Sequence, residues 1–250
     1  MNEKGHQEFT KYDEQGAYHW KQMRSSLRRF NAGLAARYEV AMQIIELGAG
    51  QKNITSILDI GCGDGYFTSL LAKRFPESRV RGFDFSATAI KFAHQMSKLR
   101  NVGFSLGDAF AAADQYDLIV ATDVIEHVYD AGLFLDNCRA RLGPGGGLFL
   151  STPIRIKEIP DDRFHVHEFF YNELESLMAQ HGFQCKLHSV SHDFSILEAY
   201  GKRHSFFGMG KMRLGKYKTN FLANYLNRNP FAAKDCTLPT MQYLYAEIQE

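Results

Sequence analysis

Between Ile54 and Phe75 the chain carries three patterns in immediate succession. Ile54-Thr55-Ser56-Ile57-Leu58-Asp59-Ile60 reads as a buried strand, Gly61-Cys62-Gly63-Asp64-Gly65 as a turn, and Tyr66 to Phe75 as a helix. Glycine enters positive φ without steric cost and lets a ligand approach the backbone where a Cβ would stand. The first turn of a helix leaves N–H donors without intrahelical partners. Glycines at alternate positions in that place predict a nucleotide-type ligand held between the first strand and the first helix. Asp84, 19 residues after Gly65, ends the next apolar run, where an acid accepts ribose hydroxyls. Two features argue against a dinucleotide. The spacing is G-x-G-x-G, and the carboxylate of Asp59 just before the turn would repel a pyrophosphate while tolerating a cationic ligand.

The alternation continues downstream. Arg79 to Asp84 is predicted as a second strand, Ala87 to Leu99 as a helix, Val102 to Leu106 as a third strand and Tyr116 to Ala121 as a fourth. A helix from Ala131 to Leu142 is expected to stop at Gly143-Pro144-Gly145-Gly146-Gly147, and Leu148 to Ser151 to form strand five. A helix from Tyr171 to His181, a strand from Phe183 to Val190 and a last strand near Met241 to Ile248 complete the pattern. Such alternation implies a mostly parallel sheet with helices on both faces. Ahead of it, Leu27 to Leu47 has helical apolar spacing, with Gly48-Ala49-Gly50 as its stop. The stretch from Ser191 to Pro239 is too long for an ordinary loop and is expected to be a partly helical insertion. The expected organisation is a helical lid over 1–50, a ligand-binding core over 51–190, a cap over 191–239 and a final core strand over 240–250.

The segment Ile57-Leu58-Asp59-Ile60-Gly61-Cys62-Gly63-Asp64-Gly65 resembles the first motif of the class I S-adenosylmethionine methyltransferases. Gly82-Phe83-Asp84-Phe85-Ser86 is similar to the family's ribose-binding motif, and Gly107-Asp108-Ala109 to the place where an acid meets the adenine amino group. Asp117 to Val128 is similar to the fourth motif, and Leu142-Gly143-Pro144-Gly145-Gly146 to the turn before strand five. The resemblance implies a seven-stranded Rossmann-like α/β sheet and S-adenosylmethionine as cofactor, with S-adenosylhomocysteine as product. It also implies a cofactor site built from Asp59, Gly61, Cys62, Gly63, Asp64 and Phe67, from Asp84, Phe85 and Ser86, from Asp108 and Ala109, and from Asp123 and Val124. His19 and Arg37, in the expected lid helices, join that set; an arginine there would pair with the methionine carboxylate.

Methyl transfer to a hydroxyl requires an acceptor at near-attack distance and a group that takes its proton. Candidates should lie past the carboxyl ends of strands four and five, and two segments supply them: Glu126-His127, and His165 and His167 within Arg163-Phe164-His165-Val166-His167-Glu168-Phe169. The same segments resemble the E-x-x-E-H metal element of the ubiquinone-pathway O-methyltransferases and of metal-dependent RNA 2′-O-methyltransferases, here Asp123-x-x-Glu126-His127. A proton-accepting or acceptor-positioning histidine is the favoured reading. A divalent metal and a purely structural histidine pair stay open, so no metal ligand is assigned. A metal-dependent RNA 2′-O-methyltransferase is the first alternative, and a non-catalytic sensor of the cofactor is the alternative of a different class.

Between Ala199 and Lys234 stand eight Lys or Arg residues and no Asp or Glu, in a chain whose net charge is +1. The remainder is therefore acidic, and the basic stretch, with Lys202, Arg203, Lys211, Arg213, Lys216 and Lys218 among Phe206, Phe207, Met209, Met212 and Tyr217, favours an anionic acceptor. The expected partner is a small-molecule, glycan or lipid-linked acceptor, with peripheral membrane contact through 202–218 also in view. Tyr12 to Trp20 is similar to the start of methyltransferases found beside surface-polysaccharide genes. Near-neutral charge and the lack of an RNA-binding module argue against nucleic acid. Cys62, Cys138, Cys185 and Cys236 show no metal or disulfide spacing, no apolar run reaches about 18 residues, and the first residues lack a signal-peptide core, so a cytoplasmic protein is expected. The oligomeric state is left unassigned.

Overall fold

The computed structural model describes residues 10–111, 113–156, 164–206, 210–232 and 239–249. In chain order the elements are α1 (Lys11–Gln15), α2 (Tyr18–Gln22), α3 (Ala32–Ala49), β1 (Ser56–Ile60), α4 (Tyr66–Arg74), β2 (Arg79–Asp84), α5 (Ala87–Met96), β3 (Val102–Leu106) and β4 (Tyr116–Thr122). Then follow α6 (Ala131–Arg141), β5 (Leu142–Pro153), α7 (Glu173–Gln180), β6 (Phe183–Asp193), α8 (Phe194–Gly201), β7 (His204–Phe206), β8 (Gly210–Met212), α9 (Leu214–Tyr225) and β9 (Pro239–Ile248). Seven strands form one sheet in the order β3-β2-β1-β4-β5-β9-β6, in which β1 to β5 pair in parallel and β9 runs antiparallel to both neighbours. The strand order reverses direction between β1 and β4. There the loops beyond the carboxyl ends diverge and leave a crevice.

Alternate residues of each central strand enter opposite layers of core. Ile57, Leu118, Val120, Phe149, Tyr243 and Tyr245 pack under α3 and α4, while Leu58, Ile119, Leu148, Leu150 and Leu244 pack under α6 and α7. With both faces covered, the strands read as continuous apolar runs. Among the described residues no helix is long and apolar enough to cross a membrane.

Where element boundaries depart from the sequence expectation, local contacts give the reason at α3 and β5. Helix α3 begins at Ala32 rather than Leu27 because the Asn31 side chain accepts a hydrogen bond from the Leu34 N–H at 3.1 Å and caps it. It stops within the expected Gly48-Ala49-Gly50, at Gly50 with φ +56, while Gly48 lies inside the helix against the ring of Tyr245. The glycine run 143–147 is not a turn before strand five. It belongs to β5, where the register to β4 shifts between Tyr116 and Leu118, so the run acts as a bulge within a longer strand. Across the expected insertion, β6 continues to Asp193 and is followed by α8, the β7–β8 hairpin and α9. Phe207 and Met209 of that stretch, with Arg163, Lys234 and Cys236, lie outside the described residues.

Strand β1 ends in a buried carboxylate. Asp59 is 1% exposed, and its Oδ2 accepts the Thr68 hydroxyl of α4 at 2.6 Å, while its Oδ1 has no hydrogen-bond partner among the described residues. Burial raises its pKa to about 7, against the Thr68 bond, which lowers it. A carboxyl with a raised folded pKa makes folding less favourable as the unfolded chain ionises and the folded chain does not. The wild type should therefore lose stability relative to Asp59→Asn as pH rises from about 4 to about 7, by on the order of 4 kcal/mol at the plateau. Urea unfolding of both proteins across that range measures it, and a pH-independent difference would refute the burial cost. Gly48→Ala should destabilise by about 1–3 kcal/mol through overpacking on Tyr245, read in the same way.

Candidate active site

The turn after β1 is built from three residues at positive φ, Gly61 at +68°, Gly63 at +56° and Gly65 at +74°. Each is also a close approach. A Cβ on Gly61 would stand 2.6 Å from Val124 Cγ2, one on Gly65 would stand 2.7 Å from the Phe104 ring, and one on Gly63 would enter the Tyr12 hydroxyl. The Gly63 N–H and the Ser86 N–H both donate to Asp84, each at 2.8 Å, so one carboxylate bridges the loops after β1 and β2. Burial raises the Asp84 pKa and those two bonds pull it back. Ser86 caps α5, its hydroxyl accepting from the Ala89 N–H at 3.1 Å. Asp108, with Ala109 beside it, accepts the Phe110 N–H at 2.9 Å. Cys62 is buried in the turn and burial pushes its thiol well up, so it is a small packing residue and a poor nucleophile.

A cleft of about 1790 Å³ opens on this turn. Its walls include Gly61, Cys62, Phe67, Asp84, Phe85, Ser86, Asp108, Ala109, Asp123, Val124, His19 and Arg37, which the sequence assigned to a cofactor. Sites for one drug-sized ligand occupy about 300–1,000 Å³, so the cleft has room for a nucleoside and a second molecule together. Gly63 is part of the turn without lining the cleft.

Two acids stand elsewhere than expected. Asp59 lies behind the turn on Thr68, off the cleft wall. Asp64 is fully buried and committed to the lid: it accepts from the His19 N–H and from His19 Nδ1, both at 3.0 Å, while its carbonyl accepts Trp20 Nε1–H at 2.8 Å. Asp64 thus fastens α2 over the turn and does not line the cleft. Tyr38 adds to the lid by stacking on Phe67 with centroids 5.1 Å apart. Arg37 donates to Asp123 Oδ2 at 2.8 Å, so its carboxylate partner here is a residue of the protein. Asp123 holds φ +54, a strained conformation for a residue with a Cβ, at the point where β4 leaves the sheet.

Beyond Asp123, Glu126 is fully buried. Its Oε2 accepts the Thr152 hydroxyl at 2.9 Å, its Oε1 has no partner among the described residues, and burial followed by the Asp123 charge holds its pKa well above the carboxylate range. The Glu126 carbonyl accepts the N–H groups of Val166 at 2.7 Å and His167 at 3.2 Å, pinning the segment after β5 to the end of β4. That contact brings His127 and His165 together with ring centroids 5.0 Å apart. His127 Nδ1 donates to the Phe164 carbonyl at 2.8 Å and His165 Nδ1 to Glu168 Oε1 at 2.6 Å. In each neutral ring the proton is thereby on Nδ1, and Nε2 is the basic atom. His167 turns away, bonded to Glu173 at 2.8 Å and packed on Phe169, and does not line the cleft.

Ligand atoms of Glu126, His127 and His165 lie within 4.8 Å of one another, so these three fit a metal ion in spacing. Sequence reasoning missed Glu168, which is 7% exposed and orients His165; its only signal was the i, i+3 spacing. It also missed Thr152 and the tyrosine wall of the lid, Tyr12 and Tyr38.

A methyltransferase-domain family model matches residues 19–188. A protein of Mycolicibacterium smegmatis described as a probable S-adenosylmethionine-dependent methyltransferase is 30% identical over 156 residues, covering 59% of this chain and 58% of that one. A ubiquinone biosynthesis O-methyltransferase of Chelativorans sp. is 39% identical over 101 residues, covering 38% and 39%. The matches thus span less than two thirds of either relative's length. Among solved structures, a phospholethanolamine N-methyltransferase 2 of Haemonchus contortus, in complex with phosphomonomethylethanolamine and S-adenosylhomocysteine, shares the fold with a TM-score of 0.60 at 17% identity, covering 96% of this chain and 58% of that one. With the glycine turn, the bridging Asp84 and the strand order all in place, the chain belongs to the methyltransferase-domain family of S-adenosylmethionine-dependent enzymes.

Proposed function

We propose that the chain is an S-adenosylmethionine-dependent methyltransferase that methylates an oxygen of a small-molecule, glycan or lipid-linked acceptor. The observation that carries the choice of oxygen is the histidine pair. His127 and His165 line the same cleft as the glycine turn, and each has its Nδ1 bonded so that Nε2 is the basic atom. The sulfonium supplies an activated methyl group when bound. The acceptor hydroxyl oxygen forms the new bond to the methyl carbon as the carbon–sulfur bond breaks, and its proton passes to a histidine Nε2. Glu168 keeps the His165 ring in that tautomer, as carboxylates do for catalytic imidazoles. Buried Glu126, with its raised pKa, works as a neutral pin for the segment after β5.

The family match, the wall of acids along the cleft and the volume available for two molecules support the methyl-donor assignment. Free thiols at Cys62, Cys138 and Cys185 are in keeping with a cytoplasmic setting. A second reading is favoured by one observation, the 4.8 Å grouping of Glu126, His127 and His165: these three would hold a divalent cation, which would polarise the acceptor hydroxyl.

Calorimetry with S-adenosylhomocysteine should show binding, and its absence would sink the assignment. In a transfer assay with labelled donor and a panel of phosphorylated sugars, lipids, phenols and RNA ends, His127→Ala and His165→Ala should each lower kcat by about 10²–10⁴-fold while leaving the affinity for S-adenosylhomocysteine unchanged. Activity should survive EDTA. Loss under EDTA with recovery on adding back a divalent cation would replace the histidine reading by the metal one.

A further inference from the structure

Two stretches of the chain carry cations and no acid. From Gln15 to Tyr38 stand Lys21, Arg24, Arg28, Arg29 and Arg37, and from Ala199 to Lys234 stand eight more Lys and Arg residues. The fold joins these distant stretches with a set of asparagines. Asn220 Nδ2 donates to the Leu27 carbonyl at 2.8 Å and the Phe30 carbonyl at 2.6 Å, and Asn229 Nδ2 donates to the Ala32 carbonyl at 2.8 Å. Phe231, 1% exposed, packs among Phe30, Ala32 and Ala36 and seals the joint.

At this joint lies a pocket of about 470 Å³ walled by Lys21, Arg28, Arg29, Arg213 and Lys216. No acid lines it, and among the described residues none of these five makes an ion pair with a carboxylate. Lys21 turns its ammonium to the Gln15 carbonyl, and the other four cations around the concavity repel one another, a cost that a bound anion removes. The crowding shows at Lys216, whose pKa is lowered by burial and then by Arg213. The remaining walls are Gln22, Asn31 and Tyr200, and all three also line the main cleft. The basic pocket therefore adjoins the cleft across this shared wall, where Asn31 Nδ2 donates to Gln22 Oε1 at 2.7 Å, on the side where the lid meets α8 and α9. Three arginine forks suit the oxygens of a phosphate, which takes paired N–H donors. A concave chamber of this size suits a compact anion, whereas a polyanion such as RNA calls for an extended basic track.

We propose that this pocket holds a phosphate or diphosphate group of the methyl acceptor, and that the acceptor passes over Gln22, Asn31 and Tyr200 to present its nucleophile in the cleft. The substrate class is thus a phosphorylated small molecule; this rests on the methyltransferase reading above.

The test uses the full chain saturated with S-adenosylhomocysteine and inorganic pyrophosphate as the probe, followed by calorimetry. Wild type should bind pyrophosphate. The double variant Arg29→Gln/Lys216→Gln should bind it at least about tenfold more weakly, since two charge-assisted contacts are lost. Lys98→Gln/Arg100→Gln removes the same charge from an exposed site elsewhere and should bind as wild type does. S-adenosylhomocysteine affinity, equal in all three proteins, shows that each is folded. Failure of wild type to bind pyrophosphate, or an equal loss in both double variants, overturns the proposal. Binding to phosphatidylglycerol vesicles without binding to pyrophosphate also overturns it and gives the cations to a membrane surface. Loss of S-adenosylhomocysteine binding in wild type would instead count against the methyl-donor reading, separately from the pyrophosphate result.

Discussion

The left-handed backbone at Gly61, Gly63 and Gly65 is the constraint on which the other parts of the site converge. A turn without Cβ atoms lets three separate pieces of protein close on it: Val124 from the end of β4 against Gly61, Tyr12 of the lid against Gly63, and Phe104 with Ala93 against Gly65. Any side chain there would both strain the backbone and push one of these pieces away. The same turn presents the Gly63 N–H to Asp84, which ties the loop after β1 to the loop after β2. The cleft follows from how closely these pieces pack around the turn.

Charge is layered along that cleft. Buried carboxylates at the ends of β1, β2 and the turn after β4, namely Asp59, Asp84 and Glu126, all have raised pKa values because burial disfavours their ionised forms. Their cost is offset by hydrogen bonds, from Thr68 to Asp59, from two backbone N–H groups to Asp84 and from Thr152 to Glu126. The basic residues stand at the opposite extreme, on the lid and on α9, where Arg213 and Lys216 face Arg28 and Arg29. The basic pocket adjoins a cleft whose own walls carry the carboxyl groups of Asp84, Asp108 and Asp123, so the two neighbouring concavities differ in charge. The histidine pair lies within the same cleft, oriented by Phe164 and Glu168.

Much of the fold was legible because its signals are local. Short apolar runs alternating with helical stretches marked the seven strands of the main sheet, and the G-x-G-x-G turn marked where the cleft opens. Departures came where a glycine had two meanings. Within the stop Gly48-Ala49-Gly50, Gly48 is a packing position, since only Tyr245 on a strand almost 200 residues later requires it to lack a side chain. The run 143–147 has the look of a turn but lies within a strand as a bulge, because Leu142 and Gly147 both pair with β4 and the residues between them are looped out of register, which sequence alone does not show.

What the sequence determined by itself was the sheet, the glycine turn and the acids that follow it, because backbone sterics and alternating burial act over a few residues. Tertiary structure alone decided which of those acids line the cleft. Asp84 and Asp108 line the cleft, whereas Asp64 is taken by His19, 45 residues away in the chain, and Asp59 by Thr68. It also decided that His165 and not His167 meets His127, since one carbonyl at Glu126 fixes how the segment after β5 turns. The basic chamber belongs wholly to this second kind: its two walls come from stretches joined by hydrogen bonds 190 residues apart or more, a distance over which no sequence pattern carries information about contact.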